Sequence, residues 1–361
     1  MNKTSKTILS IIFAIILGII GFAVGFCVNV FVLNRQEGDI YVSGDLSIHF
    51  LELGNGYTGD SIFIQCGEYD ILIDAGSRQN SATAIIDYVD QYVTDNTLEF
   101  VIATHADQDH IAAFSSSTSR KGIFEYYQVE TIIDFPKTDK NTITYQNYIK
   151  YRDLEVENGA VRYSALDCYK NKGSAKRIFQ LSSGIELEIL YNYYYENKAS
   201  DENNYSVCCM INQGDNHYLF TGDLEKEGEQ RLVDYYAEKH NGLPHCVLYK
   251  AGHHGSGTSS TIKLLDAITP EYVCVCCSAG DDEYSDNIDK QFPTKEMIQN
   301  VSRYTDKIYV TTMIGEDGQP TSMNGTIVVS SKSGRISIEC SNNNTILKET
   351  QWFKSRWPSG V

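Results

Sequence analysis

Six consecutive residues hold four side chains that can bind a metal ion. They are His105, Asp107, Asp109 and His110, in the stretch VIATHADQDHIAAF from Val101 to Phe114. The stretch begins with an apolar, strand-like run, and loops at strand ends are where an α/β scaffold presents reactive groups. Three other places repeat the arrangement: Asp74 in ILIDAG, Asp223 in LFTGD, and His253 with His254 in YKAGHHGS. Taken singly, an Asp ending a strand is more often a turn residue, and a histidine pair in a Gly-rich loop is more often an exposed turn. Two histidines and two aspartates in one loop are hard to explain as solvated surface. In this order the four stretches point to a metal centre. After His254, the hydroxyls of Ser256, Thr258, Ser259 and Ser260 and the amides of the following helix start can hold a phosphate, with Lys250 the nearest basic residue. The plainer reading of that loop is a helix N-cap.

The elements that must carry these loops are legible in outline. LSIHFLEL, SIFIQC, DILIDAG, LEFVIATH and VETIIDF read as strands separated by turn signals. IELEIL, YSVCCMI, HYLFTGD, CVLYKAG, EYVCVCC, KIYVTT, GTIVVS and RISIEC follow as further strands. ATAIIDYVDQYV, YQNYIKYRDLEVENG, LEKEGEQRLVDYYAEKH, STIKLLDAI and TKEMIQNV have helical spacing. Strands lead, strands and helices alternate, and strands close. The fold class is therefore α/β: two mixed sheets packed together with helices outside. No internal repeat or low-complexity tract is visible. The tail QWFKSRWPSGV is aromatic and basic, and the expectation is that it packs on the domain.

The chain has 361 residues, a formal net charge of -17, 42% hydrophobic and 21% charged residues. These are globular values, and they exclude disorder as the default. The acidity also excludes a broad basic footprint for coating nucleic acid, although a few phosphates can still be held locally. Residues 8–33 are apolar except for Ser10 and Asn29, and a helix of about 20 such residues crosses a bilayer. The expectation is a single-pass N-terminal transmembrane helix, with Lys3 and Lys6 favouring a cytoplasmic N-terminus and an extracellular domain. Residues 1–37 are then anchor and linker, 38–345 the main domain and 346–361 a C-terminal tail. Most of the ten cysteines sit in strand-like runs, which fits buried free thiols better than disulfides. Free thiols sit uneasily with an extracellular domain.

The order D…HxDxDH…TGD…HHGS resembles the metallo-β-lactamase fold. More closely, residues 46–330 resemble the metallohydrolase domain of the ComEC/Rec2 DNA-uptake competence proteins. HFLELGNGYTGDSIFIQCGEYDILIDAG is similar to that group's start, and ENNYSVCCMI…HYLFTGDLEKEGEQRL and CVLYKAGHHGSGTSS to its later blocks. The resemblance implies an αββα sandwich with two divalent ions at one edge. It implies His105 and Asp107 on the first metal, Asp109 and His110 on the second, Asp223 bridging and His253 as last ligand. His254 then touches substrate or a ligand, and the two histidines can exchange roles. Asp74 would orient the His/Asp loop, and Asp109 would also pass a proton.

Two divalent ions about 3.5–4 Å apart lower the pKa of a water and clamp a phosphoryl oxygen. Asp107 departs from the wider fold, which has histidine there. A carboxylate is a harder ligand, so Mn²⁺ or Mg²⁺ joins Zn²⁺ as a plausible occupant, and β-lactam hydrolysis becomes less plausible. A glycine pair usual after His110 is replaced by Ala112-Ala113. The many membrane helices of the uptake proteins are also lacking, so DNA transport by this chain is not implied. The leading expectation is a membrane-anchored phosphodiesterase or nuclease acting on DNA or a nucleotide. The alternatives are a hydrolase of an ester, thioester or amide, since the fold hosts many reactions, and a binding module that has lost catalysis.

Overall fold

The computed structural model describes residues 45–361. The apolar run at 8–33 lies outside them. Among the described residues no helix is long and apolar enough to cross a membrane.

The first sheet contains β1 (Leu46–Phe50), β2 (Ile62–Cys66), β3 (Tyr69–Ile73), β4 (Thr97–Ala103), β5 (Gln128–Asp134) and β6 (Val161–Ser164). The second contains β7 (Ile178–Ser182), β8 (Ile185–Ile189), β9 (Cys209–Gln213), β10 (Asn216–Phe220), β11 (Leu248–Lys250), β12 (Tyr272–Ala279), β13 (Ile308–Ile314) and β14 (Pro320–Ser322). The chain then returns to the first sheet as β15 (Ile327–Lys332) and β16 (Arg335–Cys340). The strand orders are β16-β15-β1-β2-β3-β4-β5-β6 and β14-β13-β12-β11-β10-β9-β8-β7.

Each sheet follows one plan. An antiparallel meander (β1-β2-β3, or β8-β9-β10) leads into parallel strands (β4-β5-β6, or β11-β12-β13). The sequence shows no trace of this duplication. It places the candidate ligands at corresponding points: Asp74 after β3 and His105 after β4, Asp223 after β10 and the His253-His254 loop after β11. Open α/β sheets bind ligands at such carboxyl strand ends.

The inner faces are apolar and close on one another. Ile48, Phe50 and Ile71 of the first sheet share a core with Leu187, Ile211 and Phe220 of the second, and the rings of Phe50 and Phe220 stack with centroids 6.4 Å apart. The outer face of the second sheet is covered by helices Lys226–Lys239, Ile262–Ile268 and Lys295–Val301, and by Trp352, Phe353 and Trp357 of the tail. The tail therefore packs on the domain through helix Gln351–Arg356, whose Thr350 cap accepts from the Phe353 N–H. All nine described cysteines are free, and all but Cys340 are buried, as their strand-like settings suggested.

Candidate metal centre

The His/Asp loop is pinned from beneath by backbone. Asp60 N–H donates to the Asp109 carbonyl, and Ala75 N–H donates to the His110 carbonyl. Gly76 sits so close that a Cβ there would lie 1.5 Å from the Asp109 oxygen, so only glycine fits. Asp74 is held with φ at 60°, a region unusual for a non-glycine residue and often found at functional sites. One Asp74 oxygen accepts from the Thr104 amide, and the other accepts from the Thr104 hydroxyl and from His110 Nδ1, each at 2.7 Å. That bond leaves His110 Nε2 with its lone pair toward the site. Asp74 thus has the orienting contact expected of it.

Three side-chain atoms converge around His110 Nε2, and a fourth joins them through His254. His110 Nε2 lies 3.1 Å from Asp223 Oδ2 and 3.2 Å from His254 Nε2. His254 Nε2 lies 3.2 Å from both Asp109 Oδ2 and Asp223 Oδ2. His110 Nε2, His254 Nε2 and Asp223 Oδ2 thus form a triangle with sides of 3.1–3.2 Å, whose corners can all lie about 2 Å from one point, the reach of a metal–nitrogen or metal–oxygen bond to zinc. Asp60, His110, Asp223 and His254 also form a compact buried group able to hold a metal. Asp60, however, faces the other side of the rings: its Oδ1 is 3.0 Å from His254 Nδ1 and its Oδ2 is 3.9 Å from His110 Nδ1. We therefore read His110, Asp223 and His254 as the heart of the cage, Asp109 as a further carboxylate reaching it at His254, and Asp60 as its backing.

Electrostatics agree with a cation there. Burial opposes charge on His110 and His254, yet the carboxylates of Asp223, Asp74 and Asp60 outweigh it and hold both pKa values well above the usual histidine range. Burial likewise opposes ionisation of Asp109 and Asp223, but the histidines hold both below the ordinary carboxylate range. The carboxylates thus favour positive charge between the two rings. Metal binding at such sites displaces protons.

The other half is looser. Burial lowers the pKa of His105, and its buried Nε2 has no hydrogen-bond partner; such an orphan calls for an unseen ligand. Asp107 Oδ2 lies 3.7 Å from that nitrogen. Asp107 is 24% exposed and pairs with Lys140 at 2.5 Å. His105 therefore stands beside the cage with one unpaired ring nitrogen.

Several expected roles change. His253, assigned as last ligand, stands at the rim with its Nε2 4.0 Å from Asp223 and its Nδ1 3.0 Å from the Thr258 hydroxyl. His254 holds the inner position instead. Lys250, expected to touch substrate, is 1% exposed and ion-paired with Asp60, with Asp223 3.7 Å away, because β11 runs inside the second sheet. Ser259 is fully buried and donates to the Leu224 carbonyl. The Ser260 and Thr261 amides are taken by the buried Glu229 carboxylate at 2.6 and 2.8 Å, so the helix start offers them to no phosphate. Ser256 bonds Thr258 at 3.0 Å and caps the turn through the Thr258 amide.

Asp60, Lys140 and Tyr284 carried no recognised signal in the sequence. Tyr284 sends its hydroxyl to 3.4 Å from Asp109 Oδ2, on a loop fastened by the Arg78–Glu283 ion pair at 2.6 Å. A cavity of about 610 Å³ opens over the centre, walled by Asp107, Asp109, Asp223, His253 and Tyr284.

Residues 54–161, which include the His/Asp loop, match the metallo-beta-lactamase superfamily. The two mixed sheets of the fold agree with that match. The chain is similar to competence protein ComA of Neisseria gonorrhoeae, 32% identical over 119 residues, covering 33% of this chain and 16% of that protein. ComE operon protein 3 of Bacillus subtilis is 24% identical over 221 residues, 60% of this chain and 24% of that one. Exodeoxyribonuclease YycJ of Bacillus anthracis is 22% identical over 129 residues, 34% of this chain and 48% of that one. The chain thus matches less than half the length of each. The superfamily match ends before Asp223 and His254, which the metallo-β-lactamase fold of this chain brings back to the His/Asp loop.

Proposed function

We propose that this chain is a metal-dependent hydrolase of phosphodiesters, of nuclease type. The observation that carries the reading is the buried triangle of His110, Asp223 and His254, met at His254 by Asp109 and open on one side to the cavity. The similarity to an exodeoxyribonuclease and to competence proteins supports the substrate class. Asp109, His110, Asp223 and His254 would hold one divalent ion, and His105, Asp107 and Asp223 a second, with Zn²⁺ or Mn²⁺ favoured and Mg²⁺ compatible. When bound, such ions supply Lewis acidity and lower the pKa of a water. Asp74 and Asp60 fix the imidazoles of His110 and His254 so that each ring presents Nε2. Asp109 keeps 16% of its side chain exposed to the cavity, so it can exchange a proton with a leaving oxygen. Tyr284 bounds the cavity beside it. The apolar run at 8–33 would anchor the domain to the cell membrane on its outer side.

The test is hydrolysis of bis-p-nitrophenyl phosphate and single-stranded DNA by the purified chain with Mn²⁺ or Zn²⁺, abolished by EDTA. An absence of EDTA-sensitive cleavage under those conditions rejects the reading. One observation favours a second reading. Asp139, Asp201 and Glu202 add further carboxylates to the cavity wall, which suits an uncharged ester or thioester better than a phosphodiester. Turnover of such an ester with phosphodiesters untouched would decide for it.

A further inference from the structure

Beside the metal cavity lies a cleft of opposite charge. Its volume is about 510 Å³, and Lys137, Arg152, Arg162 and Lys198 line it against one carboxylate, Asp139. In a chain of net charge -17, four cations facing one space are a local inversion. We propose that this cleft is a second phosphate subsite, holding the backbone of a single nucleic-acid strand whose scissile bond lies in the metal cavity. The inference rests on the phosphodiesterase reading.

The fold sets the two spaces side by side. Ala103 of β4, Asp134 of β5 and Ser164 of β6 are aligned across parallel strands. The metal loop follows β4, and the cleft lies over the ends of β5 and β6, one or two strand spacings of about 4.8 Å away. Asp139 belongs to both walls, and the next residue, Lys140, pairs with Asp107. A strand leaving the metals crosses this loop directly into the cleft.

The cations are positioned in advance. Asp134 is fully buried beneath the cleft and accepts from Arg152 at 3.0 Å and from Arg162 at 2.8 and 3.0 Å. One carboxylate neutralises one of these two guanidiniums. Arg152 also meets Asp153 at 2.7 Å, outside the cleft and 55% exposed. Lys198 is 83% exposed and only 3.9 Å from Asp139, and Lys137 donates to the Glu196 carbonyl. Guanidinium planes fixed by a buried acid lose little further freedom on gripping a phosphate.

The experiment uses the full chain in detergent. Binding of a fluorescein-labelled single-stranded 12-mer is read by anisotropy in EDTA across a salt series. Arg162→Gln with Lys198→Gln should weaken binding about 5- to 10-fold and flatten the log–log salt slope by about 1.4, at about 0.7 for each phosphate no longer neutralised. Lys198→Glu, at an exposed position that the fold does not need, should weaken binding in the same direction. In Mn²⁺, the ratio of oligonucleotide to bis-p-nitrophenyl phosphate turnover should fall by a similar factor. Unchanged affinity and slope, or no binding by the wild type, overturns the subsite even when bis-p-nitrophenyl phosphate is cleaved. Weakened binding without any phosphodiester cleavage supports the subsite and rejects the activity.

Discussion

The two halves of the candidate metal centre share one loop but differ in how they are supported. On the Asp109–His110 side each imidazole has a carboxylate behind it: Asp74 2.7 Å from His110, and Asp60 3.0 Å from His254, which also has the Cys276 carbonyl at 3.0 Å. On the His105–Asp107 side only neutral hydroxyls stand behind the ring, Thr104 at 3.1 Å and Ser206 at 3.5 Å from Nδ1, and the carboxylate is held by a partly exposed lysine. Side chains fixed by neighbours bind without reorganising. The supported half should bind its ion tightly, and the other half should bind more weakly and exchangeably.

The sharpest way to break this contrast is to remove a cage ligand. Asp109→Asn or His254→Ala should lower bis-p-nitrophenyl phosphate hydrolysis by about 10³-fold or more, the several kcal/mol that Lewis-acid stabilisation supplies. Elemental analysis should show the tight ion lost. His253→Ala should cost far less in both assays. If His253→Ala strips the metal while His254→Ala keeps it, the inner and outer roles are reversed.

The backing residues come next. Asp74→Asn should weaken metal affinity by about 10- to 100-fold, the usual cost of losing a ligand's partner. Asp60→Asn carries a stability effect as well, since it leaves the buried Lys250 ammonium facing only Asp223 at 3.7 Å. Breaking a buried pair costs about 3–5 kcal/mol, and a thermal melt should show it. Adding Lys250→Met should recover much of the loss; a double variant as unstable as the single one would remove Lys250 from the explanation.

The pH dependence follows from the same cage. The raised pKa values of His110 and His254 stabilise the metal-free fold below the unfolded histidine value of 6.5, and that stability is lost as pH climbs through the raised values. The depressed Asp109 and Asp223 act oppositely, contributing above 3.8 and failing as pH drops through their lowered values. Without metal, stability should fall on the alkaline side. Metal affinity should rise over the same range, because the ion displaces protons from the imidazoles. Chelator competition at several pH values checks this, and a pH-independent affinity would count against protonated cage histidines.

Much of this was legible in the sequence, and the remainder had physical reasons to be hidden. The HxDxDH loop was readable because four ligand side chains in six positions have few other uses. Asp74 and Asp223 became readable once their strand ends were set in order. Asp60 was not: a single carboxylate in GYTGDS looks like any turn residue, and its meaning comes from Lys250 and His254, far away in the chain. Lys250 misled because a lysine near a ligand loop suggests an exposed hand. Its burial is a property of β11 lying between β10 and β12. His253 and His254 could not be separated, since both have left-handed φ, 48° and 54°, and only the direction of the turn decides which ring points inward. The strands were visible from their apolar runs, whereas short β6, β7 and β14 at the sheet edges bury too little to leave such a pattern.

The smallest expected effect lies on the looser side. Lys140 pairs with Asp107 while 35% exposed, and exposed pairs are worth about 0.2–1 kcal/mol. Lys140→Ala frees the carboxylate, and the metal beside His105 no longer has to displace an ammonium. Affinity for the second equivalent should rise by up to about fivefold, with the first equivalent unchanged, as read by calorimetric titration of metal into metal-free protein. The sign is what matters. If Lys140→Ala weakens the second ion, the ammonium is holding Asp107 in its binding position rather than competing for it, and the two halves of the centre are more alike in their support than their contacts suggest.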